Sequence, residues 1–372
     1  MKPRAGARGS LEHRQVGLAT ALLVAGTAFL SLPRVAATPA GPAGWLAVTA
    51  GSLAALPAAC LMLALYARHP GLTLVGISRQ LLGPFLATLV GLGLAAWGHL
   101  CLAVLVREFA GVFLIPFMPE TPLSAFLAVF AALLVYAAYQ GMEAIVRTAQ
   151  VFVPFILLSL LVILGGLLPR FVAGRLLPLS GANWPGVGLG ALYTFSAFAQ
   201  GVAATTFLPL LRRPAEARPA LIWGFAVAGL AFVLLTVAEI GVFSVPVLRQ
   251  LAFPTLSAAR LIRLGLFFER FEAGFMVVWF VLSFLKLAVF FFFTTATLAE
   301  LLGLSNQKPL CLPGGLIVAF TAVFPENFSV VLRLVGHLYQ YSWLVFLLPA
   351  LLLLGSWIAE RTRNQASGAG AG

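Results

Sequence analysis

The stretch FEAGFMVVWFVLSFLKLAVFFFFTTATLAELLGL, residues 271–304, carries a single charge near its centre, Lys286. The nearest charged residues along the chain, Glu272 and Glu300, stand fourteen positions away on either side. At about 1.5 Å per helical residue, each lies roughly 21 Å off along the axis. A run this long and apolar reads as a membrane-spanning helix. A lysine at its midpoint costs on the order of 3 kcal/mol to insert, and its stem is too short to carry the ammonium to either interface. Lys286 is therefore expected to face the interior of a helix bundle, with a functional or architectural role.

Composition widens that reading to the whole chain. Of its residues 61% are hydrophobic and 9% charged, and the mean hydropathy is +1.04. That excludes a soluble domain and predicts a polytopic all-α membrane protein. A β-barrel is excluded as well, because the apolar runs are long and continuous rather than alternating. The net charge of +12 reads as arginines holding loops at lipid headgroups. No basic stretch is interleaved with aromatics in a pattern that suits nucleic acid. The eleven acidic residues include no Asp, which disfavours a carboxylate-rich Mg²⁺ or Ca²⁺ site. Cys60, Cys101 and Cys311 lie in apolar surroundings with neither disulfide nor metal-ligand spacing, and read as packing residues.

Ten spans are expected, at about 16–33, 44–66, 84–106, 122–139, 148–168, 186–210, 219–243, 271–302, 310–325 and 337–357. The first follows Lys2, Arg4, Arg8 and Arg14 and could pass for a secretory signal, but it fits the pattern described below and counts as a span. Residues 1–15 read as a basic tail, 16–357 as one transmembrane domain, and 358–372 as a flexible C-terminal tail. With the N-terminus inside, thirteen Lys and Arg residues fall on inner segments and nine on outer ones. Four of those nine lie in the outer segment 245–270, so cytoplasmic termini are expected. That segment reads as one or two helices along the membrane surface. Leu256, Ala259, Leu261, Ile262, Leu264 and Leu266 form its apolar side, and Arg260, Arg263 and Arg270 its polar side. Interfacial packing explains it, and a docking surface for a partner subunit is the sharper alternative.

Two spans are ill suited to unbroken helix. The first contains Gly26-Thr27, then Ser31 and Pro33. The sixth contains Gly186, Gly188 and Gly190, then Phe195-Ser196-Ala197, Gln200-Gly201, Thr205-Thr206 and Pro209. Small residues at mid-span mark either a broken helix lining a cavity or close helix packing. Spans one and six open two five-span halves, residues 16–168 and 186–357. Breaks at corresponding positions of two halves point to a midplane binding site.

On these residues the chain resembles the spore germination permeases, the B-subunit type of nutrient germinant receptor within the amino acid–polyamine–organocation superfamily. The resemblance rests on Gln15, Gly26 and Pro33 in span one, HPGLTLVGISRQLLG at 69–83, LVREF at 105–109, MPETPL at 118–123 and FLPLLRRPAEARPAL at 207–221. Its strongest stretch is FPTLSAARLIRLGLFFERFEAGFMVVWFVLSFLKLAVF at 253–290. The resemblance implies a five-plus-five inverted repeat, with helices 1 and 6 broken and a pocket between spans one, three, six and eight. It implies an amino-acid sensor for a small ligand such as L-alanine, working with A-type and C-type subunits in the spore inner membrane. Receptors of that kind release cations when the nutrient binds. In that family a Glu commonly stands nine residues before the proline that ends span six; here the position is Gln200. An amide neither takes up nor releases a proton, so coupling through that carboxylate is not expected in this chain.

An amino-acid zwitterion needs donors for its carboxylate, acceptors for its ammonium and an apolar slot. Backbone N–H groups at Gly26-Thr27 and at Phe195, Ser196 and Ala197 are the expected donors. Freed carbonyls and Gln200 are the acceptors, with Trp97 and Phe290 as walls. Lys286 is expected to stand at the break of span one, where a sodium-coupled relative would hold its ion. His99 reads as a hydrogen-bonded packing residue, Arg107 and Glu108 as outer rim, and Glu239 as lying toward the outer end of span seven. Glu143 and Arg147 form an i,i+4 pair. No catalytic or cofactor-binding motif occurs, so neither an enzyme nor a cofactor is expected. A stand-alone proton-coupled amino-acid permease is the alternative function, and a ligand-free scaffolding subunit a third.

Overall fold

In the computed structural model the described residues are 11–369, apart from 27, 178–181, 207 and 263–270. Helices α1 (His13–Ala25) and α2 (Ala28–Ala40) make the first span, followed by α3 (Gly44–Arg68), α4 (Leu74–Phe117), α5 (Leu123–Gln140) and α6 (Met142–Leu167). The sixth span is α7 (Trp184–Ala199) continued by 3-10 turns at Gln200–Thr206 and Leu208–Leu210. Next come α8 (Ala217–Gln250), the short α9 (Pro254–Arg260), α10 (Phe271–Leu301) and α11 (Lys308–Val323). The tenth span joins α12 (Phe328–Tyr341), a 3-10 turn at Ser342–Phe346 and α13 (Leu347–Ala369).

Eight helical stretches among the described residues are long and apolar enough to cross a bilayer. One of them, Ala28–Arg68, contains both the second half of span one and all of span two. With the shorter apolar helix Lys308–Val323, the ten expected spans are accounted for. Phe85, Leu161 and Phe320 are each more than 60% exposed, which suits lipid-facing positions in a membrane protein.

The packing has the symmetry that two inverted halves require. Helix α1 packs most extensively on α8, and α3 on α7, which are the same contact with the halves exchanged. The pairs α4 with α10, α3 with α8 and α5 with α11 each join equivalent spans of the two halves. Short helices precede spans three and eight alike. Residues 74–82 turn into span three at Gly83, which has φ 82° and is followed by Pro84. Span seven kinks at Ser244, φ 63°, just before Pro246, and leads into α9.

Three expectations are corrected here. Residues 358–369, expected to open a flexible C-terminal tail, instead continue helix α13. Glu360, Arg361, Arg363, Gln365 and Ala366 are good helix formers, with no glycine or proline until Gly368. Residues 11–15, assigned to the basic N-terminal tail, belong to the folded body: Glu12 and Gln15 form a capping box, and Leu11 makes a parallel bridge with Leu211. Finally, α9 does not lie on the lipid surface. It buries Thr255, Leu256, Ala258 and Ala259 against α2, α8 and α10, with Arg260 outermost. Amphipathicity showed that the segment has an apolar face; the face meets protein. Arg263, Leu264, Leu266 and Arg270 lie outside the described residues.

Candidate ligand site

Span one breaks where expected. Helix α1 ends at Ala25, and Gly26 (φ −10°, ψ −103°) leaves helical geometry while its N–H still bonds to the Leu22 carbonyl. Such a break removes helical partners from the last carbonyls of α1 and the first N–H groups of α2. Thr27, the other residue expected here, lies outside the described residues.

Span six breaks later than the sequence suggests. Helix α7 runs without interruption through Phe195, Ser196 and Ala197 to Ala199, so the N–H groups of those three residues belong to the helix. Two of its glycines serve close packing: a Cβ on Gly190 would lie 2.6 Å from the Ala36 carbonyl oxygen, and Gly186 meets the Pro39 carbonyl. The Ser196 hydroxyl accepts a hydrogen bond from the Trp343 N–H at 3.3 Å, and the Phe195 ring lies 5.1 Å from that of Phe346. Phe195 and Ser196 therefore bind the turn in span ten. The departure from α-helix begins at Gln200, which is 1% exposed and whose Oε1 has no hydrogen-bond partner among the described residues.

Lys286 is 1% exposed and stands at the break of span one. Its aliphatic stem crosses Gly26 so closely that a Cβ there would fall 2.8 Å from the lysine Cβ and overlap Cδ. Only glycine leaves room for this crossing. The 3-10 turn after α7 packs on both α1 and α10, so the two interrupted spans and the lysine-bearing helix converge. A cavity of about 10 Å³ beside the lysine, lined by Ala19, Leu22, Val146, Leu285 and Val289 among others, has the volume of one water. That volume does not admit an amino acid.

Glu108 is the residue that sequence reasoning misplaced. Rather than forming the outer rim, it is 2% exposed, and among the described residues neither carboxylate oxygen has a partner at hydrogen-bond geometry. Lys286 and Arg34 are its charged neighbours, and the Ser31 hydroxyl, itself 3.3 Å from the Tyr339 hydroxyl, lies beside it. The charges of LVREF looked like the end of a span, but α4 continues nine residues further, to Phe117. Its neighbour Arg107 is half-buried. A helix longer than the bilayer needs had no signature in hydropathy.

Trp97 and Phe290 do meet, with ring centroids 5.7 Å apart, and Phe293 closes on Trp97 at 6.2 Å. They join α4 to α10. His99 lies 3.1 Å from the Thr321 hydroxyl, as expected of a packing histidine. Glu143 and Arg147 pair at 2.5 Å on an exposed turn. Glu239 is fully buried, with its Oε1 2.6 Å from the hydroxyl oxygen of Thr255 on α9. Among the described residues no cluster of three or more His, Cys, Asp or Glu side chains forms a metal site.

Two inverted halves, interrupted first and sixth spans and a buried cation at the crossing define a permease-like membrane protein, and solved structures share that fold. The chain superposes on MhsT in complex with L-phenylalanine with a TM-score of 0.65 at 16% identity, covering 92% of this chain and 89% of the other. It superposes on Mhp1, a nucleobase-cation-symport-1 family transporter, with a TM-score of 0.59 at 13% identity, covering 89% and 75%. The family model described as "Spore germination protein" matches residues 10–331, and the chain belongs to that family. Relatives in Bacillus subtilis (strain 168) include spore germination protein B2, 23% identical over 94% of this chain and 97% of that one. Spore germination protein A2 is 24% identical over 88% and 90%, and YndE 25% identical over 90% and 92%.

Proposed function

We propose that this chain is the membrane-embedded nutrient-sensing subunit of a spore germination receptor and binds a small amino acid, such as L-alanine, between its two broken spans. The observation that supports this reading is the buried, unpartnered Oε1 of Gln200 at the start of the span-six break, beside the break of span one. A buried acceptor with no partner costs about 1–3 kcal/mol, which a ligand ammonium would relieve. The N–H groups that open α2 would receive the carboxylate, aided by the helix dipole. In this reading the residues nearest the ligand are Gly26, Thr27, Gln200 and Lys286, with Trp97 and Phe290 behind them. Phe195, Ser196 and Ala197 act one turn away.

Ligand binding would favour one arrangement of the broken spans, by no more than the ligand's difference in affinity for the two states. A-type and C-type partner subunits would read that shift in the spore inner membrane, with both termini of this chain cytoplasmic. The transporter fold of the solved relatives supports a second reading, a proton-coupled amino-acid permease acting alone.

The two readings part in one experiment. The full chain is reconstituted alone in vesicles, and binding and uptake of each of the twenty radiolabelled amino acids are measured. Saturable binding without concentrative uptake supports the sensor. Concentrative uptake driven by a proton gradient supports the permease, and no binding of any amino acid overturns both.

A further inference from the structure

Glu239 has no role in the site just described, and the hydrogen bonds around it do not close without an extra proton. The reasoning begins at Pro33, which has no N–H to give the carbonyl four residues earlier, that of Phe29. The Thr255 hydroxyl takes that place, with its Oγ1 2.7 Å from the Phe29 oxygen. The same Oγ1 is 2.6 Å from Glu239 Oε1. Both separations are those of O–H···O hydrogen bonds, yet a threonine hydroxyl has one proton to donate. With an ionised carboxylate, one of the two contacts would press oxygen lone pairs together at 2.7 Å or less. All three residues are buried, so no solvent proton is at hand.

We infer that Glu239 is a proton-binding site that fastens the outer helix α9 to α2 and α8. The carboxyl takes a proton from solution as α9 docks and donates it to Thr255 Oγ1, which donates its own to the Phe29 carbonyl. The proton returns to solution when α9 lifts and the carboxyl is hydrated. Several other charges on the elements packed around α8 are engaged elsewhere. Arg175 binds the carbonyls of Gly241 and Val242, Arg249 that of Thr38, and Arg34 faces Glu108. On α6, Glu143 and Arg147 pair with each other, and His13 at the start of α1 meets Glu216. Arg260 of α9 is exposed, and Thr255 is the one polar group acting on Glu239 among the described residues. This site is independent of any amino-acid ligand.

The test uses the full chain in lipid nanodiscs without ligand, by infrared difference spectroscopy at neutral pH. A protonated-carboxyl C=O band that shifts in D2O is expected in the wild type, absent from Glu239→Gln and displaced in Thr255→Val. Loss of no such band in Glu239→Gln, or an unmoved band in Thr255→Val, overturns the inference. Amide exchange across Pro254–Arg260 gives a second reading. Corrected for intrinsic rates, it is expected to accelerate with rising pH in the wild type and to stay flat in Glu239→Gln, whose amide still donates. Equal profiles overturn the latch. Should Glu239→Gln fail to fold, the presence of the band in the wild type and its displacement in Thr255→Val decide the matter alone.

Discussion

The side chain of Lys286 lies across Gly26, so the one buried lysine of α10 fills the space that a Cβ at the break of span one would take. The contact joins the two halves of the molecule at the point where the first span departs from helix. It also ties the permitted residue at position 26 to the presence of a long side chain at position 286.

Gly26→Ala is therefore expected to push the lysine aside. Overpacking of this kind costs about 1–3 kcal/mol. The purified variant should melt at a lower temperature than the wild type, and its response to amino acid should be lost. Wild-type stability and binding in Gly26→Ala would show that the crossing is loose.

Lys286→Ala is expected to abolish the germination response in spores. Lys286→Arg should restore it poorly, since the planar guanidinium is bulkier and does not follow the ammonium's path past Gly26. Germination at the normal rate in Lys286→Ala spores counts against any role for the ammonium.

Gln200→Leu removes the unpartnered acceptor at the span-six break. Hydrogen bonds to charged groups contribute about 1.5–3 kcal/mol, so amino-acid affinity should fall roughly 10- to 100-fold. Equilibrium binding measures the change, and Gln200→Glu should bind at least as tightly as the wild type. Unchanged affinity in Gln200→Leu moves the ammonium site elsewhere.

Glu108→Leu leaves Lys286 and Arg34 without the carboxylate that neighbours each of them. A loss of about 3 kcal/mol is expected, on the scale of breaking a buried charge arrangement, read as a lower melting temperature. Glu108→Gln, which keeps the shape and part of the polarity, should lose less.

Much of this fold was legible because the bilayer imposes lengths. Ten apolar runs, the weakness of span one at Gly26 and the isolation of Lys286 all follow from hydropathy and spacing. Glu108 escaped because its helix continues beyond what the bilayer requires, and charge near a presumed end looks like a border. The span-six break was misjudged by about one turn. Small residues at 195–197 looked like interruption, yet they remain helical and the departure waits for Gln200. The outer segment was recognised as amphipathic, but periodicity does not say whether an apolar face meets lipid or protein. The pairing of Glu239 with Thr255 and Phe29 depends on α2 meeting α8 and α9 across 226 residues of sequence, and only the unsatisfied carbonyl ahead of Pro33 hinted at it.

Leu11 offers its N–H to the Leu210 carbonyl and takes the N–H of Arg212, while His13 reaches Glu216 at 3.1 Å. The N-terminal arm of span one and the C-terminal arm of span six are thus yoked to each other. A force applied to the leading peptide, by a neighbouring protein or by the lipid around it, would drag both arms together. Whatever message leaves the binding pocket on that side would arrive as a single joint movement.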